Sequence, residues 1–365
     1  MNPRSLIKVV LVNLTILVIL LLCGEFGYRL LRFARSCKIK CDFSNLSIIT
    51  SSQRNHYFGI SRFSQVLGYE PNSNLNLVIN APGWKDIKVS TDSNGFRNSN
   101  LNSVAKFKIL TVGDSFTFGD QVSDSDTWQS CLNKRFQDYG FVNAGVFGYG
   151  THQALLRSQE IIKDNPYKYV ILQTLVGVDF KRDRLDIRSG FVKPYLKKSN
   201  GNIVLSPPPP RSTPNTKYGP TEAALADYLL ANIKLLGKIP QASVYHFNAL
   251  DKVNGNIDRR GTGSATIEEI IEQTVNSSTT QRTPFIWLLQ YTSKVNQNTL
   301  NERKIIISKL KSKNIAFIDT FNVLHMSKIY SKDQLWSNHH TPLGNKIVCQ
   351  EIASHFESLK INSGI

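Results

Sequence analysis

The chain has 365 residues, which is enough for one α/β domain of about 200 residues or more with appended segments. Hydrophobic residues make up 41% and charged residues 19% of the chain, and this composition excludes an intrinsically disordered protein. The formal net charge of +17 is spread along the chain without an aromatic nucleic-acid motif, so it disfavours nucleic-acid binding and is compatible with an anionic membrane surface or an anionic glycan.

An apolar run over residues 9–22 follows the basic residues Arg4 and Lys8. The run alone has the length of a signal-peptide core, and its extension to Tyr28 reaches the ~17–25 residues of a membrane span. No small-residue cleavage site follows it, so we expect an uncleaved anchor over residues 1–31. More basic residues follow the run than precede it, which by the positive-inside rule favours a cytoplasmic body.

Residues 32–103 are rich in serine and asparagine and weakly periodic, and we expect this extension to pack on the domain that follows. From residue 104 onward, short apolar runs alternate with helix-like stretches, a pattern typical of a parallel sheet that is covered on both faces. We therefore predict a three-layer α/β domain over residues 104–358 with an open sheet of about five strands. The predicted strands are Phe107–Val112, Phe141–Val146, Tyr169–Thr174, Pro284–Thr292 and Ile315–Thr320.

One long segment, residues 189–282, interrupts the alternation between the third and fourth predicted strands. It contains a run of prolines over residues 207–210 and a helix-like stretch over residues 221–236. An insertion at this rim of a sheet often shapes access to a site.

Two glycine-containing motifs follow the first two predicted strands. Gly113-Asp114-Ser115 places a serine at a strand's carboxyl end, where the backbone N–H groups of a following helix favour negative charge. Such a position suits a nucleophile whose attack generates an oxyanion, although a plain helix cap would have the same sequence. The second motif, residues 143–151, contains three glycines that allow a backbone to approach a ligand closely.

A third motif, residues 339–345, begins with a pair of histidines, His339 and His340, and precedes a predicted helix over residues 346–356. A histidine in the loop before the last helix can reach back over the sheet to a serine. Taken alone, the pair could equally be two surface histidines.

In this order, the three motifs resemble those of the SGNH/GDSL hydrolases, and Asn94-Gly95-Phe96-Arg97 is similar to a segment of the membrane-anchored bacterial members. The resemblance implies a flavodoxin-like fold without a metal or organic cofactor. It implies that Ser115 is the nucleophile and that His339, five residues before a glycine, is its base. It also implies that the N–H groups of Ser115 and Gly148 form the oxyanion hole, and it favours export over a cytoplasmic body.

The sequence departs from the family pattern at two places. Val178 stands where the third block normally has an asparagine that donates to the oxyanion, and Trp336 and Ser337 stand where the last block normally has an aspartate. We expect Asp333, six residues before His339, to supply the carboxylate. Asp319, at the end of the fifth predicted strand, is the alternative, and a serine–histidine pair without an acid is a third possibility.

The resemblance predicts a serine esterase or acyl-transfer enzyme that acts on an acyl ester, of a cell-surface glycan by analogy with the family. It predicts a membrane-anchored protein whose catalytic domain is periplasmic or extracellular. The alternative is a degenerate, non-catalytic member that binds glycan or scaffolds a surface-polysaccharide complex. A cytoplasmic regulatory protein is a third possibility and rests on the charge count alone.

Overall fold

The structure is a computed structural model that describes most of the chain between residues 60 and 363 and a short part before it. The described residues are 11–20, 22–27, 60–81, 83–102, 104–185, 187–188, 191–199, 202–206 and 263–363. The chain divides into two compact units, Met1–His56 with Tyr218–Asn254 and Tyr57–Lys217 with Gly255–Ile365. The proline run and the helix predicted over residues 221–236 lie outside the described residues.

In the first unit, residues 11–20 and 22–27 are helical. Among the residues that the structure describes, no helix is both long enough and apolar enough to cross a membrane. The anchor that the sequence predicts over residues 1–31 therefore remains a prediction.

A five-stranded parallel sheet forms the centre of the second unit. In chain order its strands are β1 (Phe107–Val112), β2 (Tyr139–Asn143), β3 (Tyr169–Leu175), β4 (Phe285–Gln290) and β5 (Ala316–Asp319), and in space they run β5-β4-β3-β1-β2. This order is that of flavodoxin-like folds, in which ligands bind where the strand order reverses, between β1 and β3. The predicted five-stranded parallel sheet is confirmed.

Alternating side chains of the sheet enter two apolar layers. In β1, Leu110 and Val112 belong to one layer and Ile109 to the other, and all three are fully buried. The helices of this unit are α1 (Ser115–Phe118), α2 (Trp128–Arg135), α3 (Thr151–Asp164), α4 (Asp179–Arg182), α5 (Gly263–Gln281), α6 (Gln297–Ser312), α7 (Lys332–Leu335) and α8 (Pro342–Ser363).

Helices α3, α5 and α6 cover the layer that contains Leu110, and α2 and α8 cover the layer that contains Ile109. A disulfide between Cys131 and Cys349 joins α2 to α8 on the second side. The odd cysteine count gave no basis for pairing these two residues.

The second predicted strand was placed too late in the chain. It begins at Tyr139 and ends at Asn143, rather than spanning Phe141–Val146. The strand ends because the Asn143 side-chain oxygen accepts a hydrogen bond from the Gly145 N–H at 3.1 Å, which turns the backbone out of the sheet.

Two antiparallel hairpins precede the sheet, Ser61–Ser64 with Gly68–Pro71 and Asn76–Ala81 with Trp84–Ser90. They contact the loops at the carboxyl ends of the sheet strands: the Tyr69 hydroxyl donates to the Phe147 carbonyl at 2.9 Å. Between β3 and α5, residues around the start of the predicted insertion form two short antiparallel pairs, Ile187–Arg188 with Phe191–Val192 and Tyr195–Ser199 with Asn202–Ser206.

Candidate active site

Ser115 is the first residue of α1, directly beyond the carboxyl end of β1. Asp114 caps this single-turn helix by accepting a hydrogen bond from the Phe116 N–H at 2.9 Å, and the helix ends at Gly119, which has a left-handed φ of 86°. Gln173 of β3 fixes the entry to the turn, because its side-chain oxygen accepts from the Asp114 N–H at 2.9 Å. The serine is therefore held at the junction of β1 and β3.

His339 lies in the loop between α7 and α8 and reaches Ser115 across the top of the sheet. Its Nε2 is 2.8 Å from the Ser115 Oγ. Its neighbour His340 points into the core instead, where it packs edge-on against Phe116 at 4.8 Å between ring centroids and is 2% exposed. The structure thus places His339, and not His340, beside the serine.

The other ring nitrogen of His339 faces an amide. Its Nδ1 is 3.3 Å from the Gln121 Oε1, and the same oxygen accepts the His339 main-chain N–H at 3.1 Å. A carboxylate oxygen of the buried Asp120 lies 3.7 Å from Nε2. Both residues belong to the loop that follows α1, a region that the sequence analysis did not connect with the histidine.

The two aspartates expected from the sequence occupy other places. Asp333 is an exposed residue in the first turn of α7, and the hydrogen bonds of the His339 ring go to Ser115 and Gln121 instead. Asp319 pairs with Arg303 at 2.6 Å and accepts from the Tyr291 hydroxyl at 2.8 Å. Asp333 lies within α7 with an exposed side chain, so its role as the acid stays a prediction that the hydrogen bonds of the His339 ring do not support.

Arg97 holds the loop that carries Asp120 and Gln121. This arginine is 2% exposed, and its guanidinium donates to the main-chain carbonyls of Phe118, Gly119 and Val122, on both sides of the two residues. It also pairs with Asp124 at 2.9 Å. The Asn94-Gly95-Phe96-Arg97 motif therefore has a structural role in shaping the site.

Arg182, in α4, ties the three strand-end motifs together. Its Nη1 lies 2.7 Å from the Asp114 carboxylate, 2.9 Å from the Asp179 carboxylate and 3.1 Å from the Tyr149 carbonyl. Arg182 was not among the predicted site residues, although it lies three positions after Asp179 on the same face of α4, and that spacing was a usable signal.

Two backbone N–H groups at this rim are available to a ligand. Within the described part of the chain, neither the Ser115 N–H nor the Gly148 N–H donates a hydrogen bond. Gly148 has a φ of 76°, a conformation that glycine adopts without strain. Val178 is half-buried against the apolar layer beside α2, and its side chain has no hydrogen-bond donor.

The electrostatic environment keeps His339 neutral. Burial lowers its pKa to about 4, with the Asp114 carboxylate acting upward and the Arg182 guanidinium downward. At neutral pH the imidazole can therefore accept the Ser115 proton at Nε2.

Among the described residues, no group of three or more histidines, cysteines, aspartates or glutamates is placed to hold a metal ion. The chemistry that the site offers is that of a serine hydroxyl, an imidazole and backbone donors.

Neither a family model nor a curated protein matches the sequence. Several solved structures resemble this chain in fold. A G-D-S-L family lipolytic protein from Desulfitobacterium hafniense aligns with 68% of this chain and 98% of its own at 16% identity and a TM-score of 0.40. A second G-D-S-L family lipolytic protein, from Veillonella parvula, aligns with 68% of this chain and 98% of its own at 12% identity and a TM-score of 0.39.

An acetyl-xylooligosaccharide esterase from Geobacillus aligns with 68% of this chain and 93% of its own, at 14% identity and a TM-score of 0.37. Identities and TM-scores this low do not assign an activity to the chain.

Proposed function

We propose that this protein is a serine esterase or acyl-transfer enzyme with Ser115 as nucleophile and His339 as general base. The observation that carries the proposal is the 2.8 Å contact between the Ser115 Oγ and the His339 Nε2. It occurs at the carboxyl ends of β1 and β3, where open α/β sheets bind ligands, and burial keeps the imidazole in its proton-accepting form.

The reaction begins when the Ser115 Oγ attacks the carbonyl carbon of an acyl ester and its proton passes to the His339 Nε2. The N–H groups of Ser115 and Gly148 stabilise the oxyanion. The imidazolium then gives the proton to the departing alcohol oxygen, which leaves an acyl-enzyme. Water or an acceptor hydroxyl attacks that ester with His339 again as base, and Ser115 is regenerated.

Turnover of a short aryl ester such as p-nitrophenyl acetate tests the proposal. The wild type should release nitrophenolate, and Ser115→Ala should lose this activity with an unchanged circular-dichroism spectrum and melting temperature. Thr117→Ser, a change within the same turn that leaves the nucleophile in place, is the matched control. Equal rates for wild type and Ser115→Ala would refute the assignment.

A degenerate, glycan-binding protein is the second candidate. It is favoured by Val178, which replaces an oxyanion donor, and by an amide in place of a carboxylate beside the His339 Nδ1. An absence of ester turnover and of active-site labelling, together with glycan binding that survives Ser115→Ala, would support this candidate over the enzyme.

We further propose that the catalytic domain is exported, held at the membrane by the N-terminal apolar segment, and directed at acyl groups of a cell-surface glycan. The Cys131–Cys349 disulfide supports export, because disulfides persist in oxidising compartments. The net charge of +17 supports a location beside an anionic surface, to which a basic protein is attracted. A reporter that is active only outside the cytoplasm, fused after the last residue, should give a signal, and a signal from a cytoplasm-only reporter would overturn export.

A further inference from the structure

We propose that two consecutive residues, Asp120 and Gln121, divide the tasks that a single carboxylate performs in a serine–histidine–acid triad. Gln121 orients the imidazole of His339, and Asp120 stabilises the positive charge that the ring gains. This inference rests on the proposed function of Ser115 and His339.

The orienting task follows from the protons on the ring. Because the His339 Nε2 accepts from the Ser115 hydroxyl, the neutral ring carries its proton on Nδ1 and needs an acceptor there. Gln121 Oε1 lies 3.3 Å away and also accepts the main-chain N–H of His339 at 3.1 Å. One oxygen thus fixes both the ring and the backbone that carries it.

The Gln121 amide lies against the turn at Gly83, and the main chain that carries it is bound by Arg97. Its nitrogen faces the turn between two extension strands, where a Cβ built on Gly83 would lie 2.0 Å from Nε2, so the oxygen is the end that faces His339. Its backbone has a left-handed φ of 67° and lies between carbonyls that Arg97 binds. The main chain on both sides of Gln121 is therefore fixed independently of any substrate.

The oxygen of an amide can accept a hydrogen bond from the ring N–H, but the amide has no negative charge to balance the positive charge of an imidazolium. The charged groups that face His339 are the Asp114 and Asp120 carboxylates and the Arg182 guanidinium, with the ring of His340 adjacent in the chain. Asp114 and Arg182 form a salt bridge at 2.7 Å, so their effects on the ring oppose each other. Asp120, whose side chain is fully buried 3.7 Å from Nε2, is the carboxylate to which we assign the compensating charge, and it also acts on the buried guanidinium of Arg97.

A fluorophosphonate probe tests both roles in the full-length protein through the rate of Ser115 labelling as a function of pH. Gln121→Met keeps the side-chain length but removes the acceptor, and labelling should slow by about 10- to 100-fold, the effect of an unpaired buried donor. Gln121→Glu should restore at least the wild-type rate and move the titration midpoint upward, because a carboxylate then faces Nδ1. Asp120→Asn should slow labelling and move the midpoint downward.

Asp120→Ser provides a second variant in case the asparagine change impairs folding, and every rate is normalised to the folded fraction. Histidine ¹⁵N NMR reads the His339 tautomer and pKa directly. The Nδ1–H form should dominate in the wild type, and Gln121→Met should reduce its share.

The outcomes separate this inference from the proposed function. If wild type is not labelled at Ser115, the proposed function fails, and the tautomer measurement still decides whether Gln121 orients the ring. If wild type is labelled but Gln121→Met reacts as fast, or Asp333→Asn slows labelling more than Gln121→Met does, the orienting role is overturned. Unchanged rate and midpoint in both Asp120 variants would overturn the charge role.

Discussion

Gly83, far from the serine in sequence, is predicted to control its reactivity. Its φ is 82°, so alanine there costs about 1–2 kcal/mol of folding free energy. The new Cβ would lie 2.0 Å from the Gln121 Nε2 and 3.2 Å from its Cδ, closer than atoms can pack. The flexible amide must move, which carries Oε1 away from the His339 Nδ1. We expect Gly83→Ala to slow Ser115 labelling by about 10- to 100-fold, the loss of one buried acceptor.

Gly140→Ala is the matched control, since its Cβ also meets the end of a flexible side chain, the Leu101 Cδ1 at 2.7 Å. Gly140 lies near the start of β2, whereas Ser115 follows the carboxyl end of β1. Overpacking should cost about 1–3 kcal/mol without changing the labelling rate per folded molecule. Urea unfolding measures stability, and fluorophosphonate labelling at neutral pH measures the site. If Gly83→Ala is less stable but is labelled at the wild-type rate, the proposed effect of Gly83 on His339 through Gln121 is refuted.

Three further predictions concern the histidines and the disulfide. His339→Ala should abolish ester turnover while His340→Ala should retain most of it per folded molecule; the reverse would assign the base to His340. Burial lowers the pKa of His152 to about 4 and that of His340 to about 3, so both side chains take up protons when the protein unfolds below pH 6.5. The free energy of unfolding should therefore fall as the pH is lowered from 6.5 to 4, by about 1.4 kcal/mol per pH unit for each histidine. His340→Phe should reduce this slope in urea titrations, and an unchanged slope would contradict the prediction. Cys131→Ser should lower the free energy of unfolding of the oxidised protein by about 2–5 kcal/mol. After reduction with dithiothreitol, the variant and the wild type should be equally stable. Equal stability before reduction would argue against the Cys131–Cys349 bond.

The sheet could be predicted because its strands are buried on both faces. A strand such as β4 reads as a continuous apolar run, and all six of its residues are buried in the structure. The helix α5 was not predicted, because Ser277, Ser278 and Thr279 near its end obscure a helical pattern that its packing against α3 and α6 sustains.

The parts of the site that lie within strand-end motifs could also be anticipated. Ser115 and Gly148 follow the ends of β1 and β2 by three and five residues, so chain order places them at one edge of the sheet. Gln121 could not be found in this way, because its role depends on a histidine 218 positions away and on the distant residues Arg97 and Gly83. The Cys131–Cys349 pairing was likewise hidden, since sequence alone does not determine disulfide connectivity.

Mapping the site of fluorophosphonate modification by peptide mass spectrometry tests the assignment of the nucleophile. The wild type should carry one adduct, on the peptide that contains Ser115, and His339→Ala should greatly slow its formation. No adduct on the folded protein, or an adduct on another serine that persists in Ser115→Ala, would contradict it.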